Sequence, residues 1–176
     1  MEKITYLPNG QWALEKWTGS QRKSISDWAD SGMREHLDKV PEAKGKLRQA
    51  MMSDLDKDMD TSMYSSGKRI NPQTNKPEYL LHRSMHKDDN LHNSNLTSWT
   101  HSQSFADHWG KYGQDDPESM RVVSAWIPQD VIHSYVPTIT RTEGGADFGY
   151  GDYKDEGEVL VKPHKLNIHN ISRPKV

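Results

Sequence analysis

The feature that most constrains this chain is a change of hydrophobic period across the segment Gly67 to Pro77. Ahead of it, Leu47, Met51, Leu55, Met59 and Met63 recur at steps of four, which sets an apolar stripe along one side of a helix. Lys, Arg and Asp occupy the other side, and Met in such a stripe acts as a filler of core gaps. From about Trp12 to Ser66 the pattern reads as helical, with Trp12 and Trp17 first, then Ile25, Trp28 and Ala29, then a segment opening at Pro41. Gly67 to Pro77 has loop composition. Beyond it, Tyr79 to Met85, Leu96 to Thr100, Arg121 to Ile127 and Glu158 to Val161 are short β-type segments, and Ser102 to Trp109 reads as one short helix. The expected fold class is α+β, with N-terminal helices followed by a split β-sheet core.

A length of 176 residues suits one domain, divided here into a helical part over 1–70 and a mainly β part over 71–176. Six Trp and seven Tyr supply the apolar surface that a hydrophobic content of 32% would otherwise leave short. A formal net charge of -2 gives no global attraction to nucleic acid, so nucleic acid is not the default partner. The absence of Cys excludes disulfides and thiolate zinc sites. Met1 to Tyr6 lacks the apolar run of a signal peptide, and no run approaches the ~20 apolar residues of a membrane helix. The expected location is the cytoplasm, with no membrane partner.

Three short motifs carry polar chemistry inside these segments. In Glu156-Gly157-Glu158-Val159-Leu160-Val161, a strand would point both carboxylates to one side, either as a paired catalytic set or as a solvated edge. Ser98-Trp99-Thr100 puts two hydroxyls on one side of a strand, to hold a sugar or to satisfy nearby backbone. Arg83 lies in the apolar run Tyr79-Leu80-Leu81-His82-Arg83-Ser84-Met85 and needs an anion or an internal carboxylate. Between Thr138 and Glu156 a glycine-rich stretch carries Phe148, Tyr150 and Tyr153, and long aromatic loops tend to be functional.

Other patterns fail. Asp54-x-Asp56-x-Asp58 opens like a calcium loop, but Met59 stands where Gly is needed, which leaves a solvated helix face. Gly149-x-Gly151 lacks the third glycine of a dinucleotide turn, and the nine His form no His-Glu-x-x-His. No metal is expected.

Taken in order, the strand Arg, the Ser-x-Thr strand leading into a short helix, the strand ending Trp126-Ile127-Pro128 and the terminal Glu-x-Glu resemble the signature of the mono-ADP-ribosyltransferases, over about Tyr79 to Ile168. The chain departs from the pattern in having His82 where an aromatic residue precedes the Arg, and Ser-Trp-Thr in place of Ser-Thr-Ser. The resemblance implies a sheet core enclosing a cleft for NAD, used as co-substrate. It further implies that Glu158 holds the ribose 2'-hydroxyl as the central catalytic residue. Glu156 would engage the arginine acceptor of a target protein. Arg83 would bind phosphate, while Ser98, Thr100, His82 and Trp99 complete the cofactor contacts, and Phe148, Tyr150 and Tyr153 meet the target. Compact members without a signal sequence include bacteriophage enzymes and bacterial toxins, which makes a host macromolecule the expected partner. An NAD glycohydrolase, or a silent NAD-binding domain, would use the same scaffold.

Overall fold

The computed structural model describes residues 4–6, 12–14, 45–61, 67–91, 96–112, 116–138 and 157–175. In chain order these form β1 (Ile4–Tyr6), β2 (Trp12–Leu14), α1 (Gly45–Thr61), β3 (Lys68–Ile70), β4 (Pro77–His86), β5 (Thr97–Thr100), α2 (Gln103–Tyr112), β6 (Met120–Pro128), β7 (Ile132–Tyr135), β8 (Glu158–Val161) and β9 (Asn167–Ser172). Among the described residues no helix is long and apolar enough to cross a membrane.

The mixed α and β architecture expected from the sequence is present, with two local corrections. Trp12–Leu14 is a strand, paired antiparallel with Ile4–Tyr6, where a helical start was expected. Ile, Thr, Tyr and Trp favour extended backbone, and Pro8, Asn9 and Gly10 between the two segments disfavour helix. The expected helices from Trp17 to Ala29 lie outside the described residues. Lys68–Ile70, expected as loop, is a strand paired with Pro77–Tyr79 of β4. The turn between them closes through Asn71 N–H to Lys76 O at 2.8 Å. Asn75 takes φ 57°, a left-handed conformation that Asn tolerates better than most residues.

Strands β3 to β9 build one open antiparallel sheet in the order β7-β8-β5-β4-β6-β9, with β3 added to β4. A split core was expected; β1 and β2 pair separately, while β3 to β9 share one sheet, in which β4 and β5 meet at His82 opposite Thr100. The long central pair holds them together: β4 and β6 match from Glu78 opposite Pro128 to His86 opposite Met120.

Strand alternation gives this sheet two unlike sides. One side carries Tyr79, Leu81 and Met85 of β4, Val123, Ala125 and Ile127 of β6, and Trp99, Val159 and Val161, all buried. Helix α1 packs there through Met51, Leu55 and Met59, the expected stripe. The side chains of Leu47 and Met63 lie outside the described set. Arg48 fixes the helix by donating to Ile132 O at 2.7 Å and Gln129 O at 2.8 Å. Asp54 accepts from Thr138 Oγ1 at 2.8 Å, and Asp58 from Tyr135 OH at 2.5 Å. These two carboxylates, read from sequence as a solvated face, are instead docking groups. Their four-residue spacing places both beside the apolar stripe.

Helix α2 covers part of the other side. The Ser84 hydroxyl donates to Ala106 O. At Gly110 an added Cβ would lie 2.8 Å from Pro174 Cγ and 3.1 Å from Ser84 Oγ, so glycine permits this close approach.

Candidate functional site

In an antiparallel ladder, directly opposed residues project to the same side. Asn170 stands opposite Ser124, Ser124 opposite His82, His82 opposite Thr100, and Thr100 opposite Glu158. A polar row therefore crosses β9, β6, β4, β5 and β8 at right angles to the strands. Neighbours in it have Cα atoms about 4.5–5.5 Å apart, so His82 and Glu158 lie roughly 10 Å from each other. Ser98, two residues before Thr100, shares their side of the sheet.

His82 is the buried centre of the row, at 1% exposure, with Nδ1 2.6 Å from Ser124 Oγ. Burial, then the neighbouring His101 and His169, push its pKa down to about 4. The ring is thus neutral at pH 7 and acts through hydrogen bonds rather than charge. Thr100 Oγ1 accepts Ser102 N–H at 3.0 Å, and Ser102 Oγ accepts Phe105 N–H at 3.2 Å. These bonds start α2 directly after β5, with Ser102 capping the helix.

Glu158 is half-buried at the first position of β8. Gly157 before it has φ +59°, and an added Cβ there would lie 2.2 Å from His101 Nε2. Backbone sign and ring contact both demand glycine. His101 Nε2 lies 3.2 Å from Tyr135 OH, which donates to Asp58. A chain of side chains from Asp58 through Tyr135 and His101 thereby connects helix α1 to the bend that aims Glu158.

Comparison with known proteins gives no match to a family model, a curated protein or a solved structure. The chemistry is argued from the row itself.

The expected site residues divide between the two sides. His82, Ser98, Thr100 and Glu158 share one. Arg83 and Trp99, being odd-numbered on strands whose even positions form the row, project to the other. Arg83 Nη1 donates to Ser98 O at 2.8 Å, and Trp99 Nε1 donates to Thr97 Oγ1 at 2.8 Å, with Trp99 buried in the core. Strand period thus separates residues that are adjacent in sequence. Glu156, Phe148, Tyr150 and Tyr153 lie outside the described residues. Sequence reasoning passed over Ser124 and Asn170, although a lone serine inside the apolar run Val122-Val123-Ser124-Ala125 was a visible signal. It also passed over His101 and Tyr135, whose partner Asp58 is distant in sequence. Among the described residues no three His, Asp or Glu side chains gather as a metal site would require.

Proposed function

We propose that the chain is an NAD-consuming mono-ADP-ribosyltransferase that modifies arginine, with Glu158 as its central catalytic residue. The observation that supports this most is the lateral row of His82, Thr100 and Glu158 on adjacent strands, with Ser98 beside it. Neutral imidazole, two hydroxyls and a carboxylate are a donor and acceptor set suited to a polyhydroxyl ribose. NAD supplies the activated bond, because its nicotinamide leaves already carrying positive charge.

Each side chain then has a distinct task. Glu158 accepts a hydrogen bond from the ribose 2'-hydroxyl and opposes the positive charge that develops as the ribose–nicotinamide bond breaks. His82 and Ser98 orient the sugar and nicotinamide ends by hydrogen bonding. Thr100, tied to the start of α2, keeps the row aligned. Glu156 engages the acceptor guanidinium, whose nitrogen forms the new bond to the ribose carbon and gives up a proton. Arg83 has no part in this reading, since it projects to the other side. A target protein with an exposed arginine, in a host or the producing cell, is the acceptor.

The test measures nicotinamide release from NAD and transfer to agmatine in parallel. Glu158→Gln lowers both by about 100-fold or more, because it removes an ionic hydrogen bond where charge develops. Glu156→Gln suppresses transfer while leaving much of the slow hydrolysis. Normal cleavage by Glu158→Gln would sink the reading; cleavage of NAD without transfer to any arginine acceptor would replace it with a glycohydrolase.

A further inference from the structure

We propose that β9 is a dimerisation strand, which pairs antiparallel with β9 of a second copy of this chain and continues the sheet across both. Among the described strands the sheet has two edges, and they differ. β7 is buried at all four positions, whereas five of the six positions of β9 are exposed. Sheet edges that must not associate usually carry charge or proline. From Leu166 to Ser172 the chain has neither, although Lys165 and Arg173 stand just outside.

A bulge decides which strand fits this edge. Asn170 stands opposite Ser124 and Ile168 opposite Ala125, so His169 is the extra residue of β9. Its ring meets the indole of Trp126, with centroids 6.2 Å apart, on the side of the polar row. Asn170 lies on that side too, as do Asn167 and Ser172 through their partners Trp126 and Val122. Ile168 and Ile171, opposite Ala125 and Val123, both lie on the side of α1 and are 36% and 49% exposed. In a regular strand, residues three apart would project to opposite sides. The bulge makes the pattern of sides read the same from either end of β9.

Such a strand is its own complement. A two-fold axis perpendicular to the sheet, at the level of His169 and Asn170, sets Ile168 of each copy opposite Ile171 of the other, and His169 opposite Asn170. Directly opposed residues project to the same side, so four isoleucines gather in one patch and polar groups face polar groups. A bulge normally hinders edge pairing, because the incoming strand lacks one. A second copy brings the same bulge to the same level, which favours self-association over capture of a foreign strand. Pairing over six residues is small beside a standard interface, so the dimer should dissociate with a Kd on the order of 10 µM.

The test is sedimentation velocity of the full chain from about 1 µM to about 500 µM, which spans that Kd. A reversible shift from monomer to dimer is expected. Ile171→Lys, which buries an unpaired ammonium at the paired edge, raises Kd about tenfold or more. Ile70→Lys, at a site 58% exposed on β3, leaves it unchanged. Register is read by disulfide trapping, since the chain has no Cys of its own. Opposed Cα atoms lie about 4.5–5.5 Å apart, within disulfide reach, whereas like-numbered positions are offset by three residues, roughly 10 Å. Ile168→Cys mixed with Ile171→Cys therefore gives a cross-linked dimer on oxidation, and neither variant does so alone. A chain that stays monomeric throughout the range overturns the proposal, as does a dimer that Ile171→Lys leaves unchanged. So does a mixture that fails to cross-link, or a cross-link that forms as readily in one variant alone.

Discussion

The two sides of the sheet use the same strands for opposite purposes. Beneath α1, β4 presents Tyr79, Leu81 and Met85, and its partners are Val, Ala, Ile and Trp. On the other side the same strand presents His82 between Leu80 and Ser84; Ser124 and Thr100 stand opposite His82, with Trp126 and Val122 opposite the other two. One side closes by excluding water, which is non-directional and tolerant of partner choice. The other sets a row of hydrogen-bonding groups among Leu80, Val122 and Leu160, and such groups need particular atoms at particular spacings. Stability should therefore reside mainly on the first and chemistry on the second. Substitutions can be chosen to break that division.

The largest stability effect is expected from Leu55→Ala. Leu55 is fully buried between α1 and the sheet, and truncating such a leucine costs about 3–5 kcal/mol. Urea denaturation should show that loss while the proposed NAD cleavage, per folded molecule, stays unchanged. A parallel fall in specific activity would show that the two sides are not separable.

A pH series on His82 sharpens the same contrast, since it is the point where the polar side bears on stability. The folded ring has a pKa of about 4 against 6.5 for the free side chain, so the unfolded chain takes up the proton first as pH falls. Stability is fully present above pH 6.5, declines between 6.5 and about 4, and levels off below that. At 1.36 kcal/mol for each pKa unit the decline amounts to about 3 kcal/mol. Urea midpoints at pH 4, 5, 6 and 7 should show this slope in the native chain and lose it in His82→Gln. Parallel profiles would mean that the ring is not buried in neutral form.

Tyr135→Phe has the smallest stability effect and tests the connection between the sides. It removes the hydroxyl shared by Asp58 and His101, for about 1–2 kcal/mol. If that chain aims Glu158 through His101 and Gly157 in the proposed reaction, the rate of nicotinamide release falls more than the affinity for NAD does. Unchanged kinetics on a merely less stable protein would restrict the chain to holding α1.

Much of this organisation was legible in the sequence. Period-four spacing located α1 from Met51, Leu55 and Met59, and period-two runs located β4, β5, β6 and β8 within one or two residues. Pairing was not legible, because register depends on contacts distant in sequence. For that reason His82 and Arg83 looked interchangeable as site residues, and only the opposition of His82 to Thr100 separates them. The same blindness hid Ser124 and Asn170, and it left Asp54 and Asp58 looking like solvent-facing carboxylates. β1 to β3 and β7 were missed because strands this short carry too few residues for periodicity to show, and the six-residue β9, largely exposed, was missed as well.

Since the row draws each member from a different strand, its integrity is vulnerable to insertions and deletions more than to substitutions. A change of one residue in the length of β5 would turn Ser98 and Thr100 towards the core and bring Trp99 out among the polar groups. Length drift among descendants of this chain should therefore accumulate in the connections between strands and be purged within them.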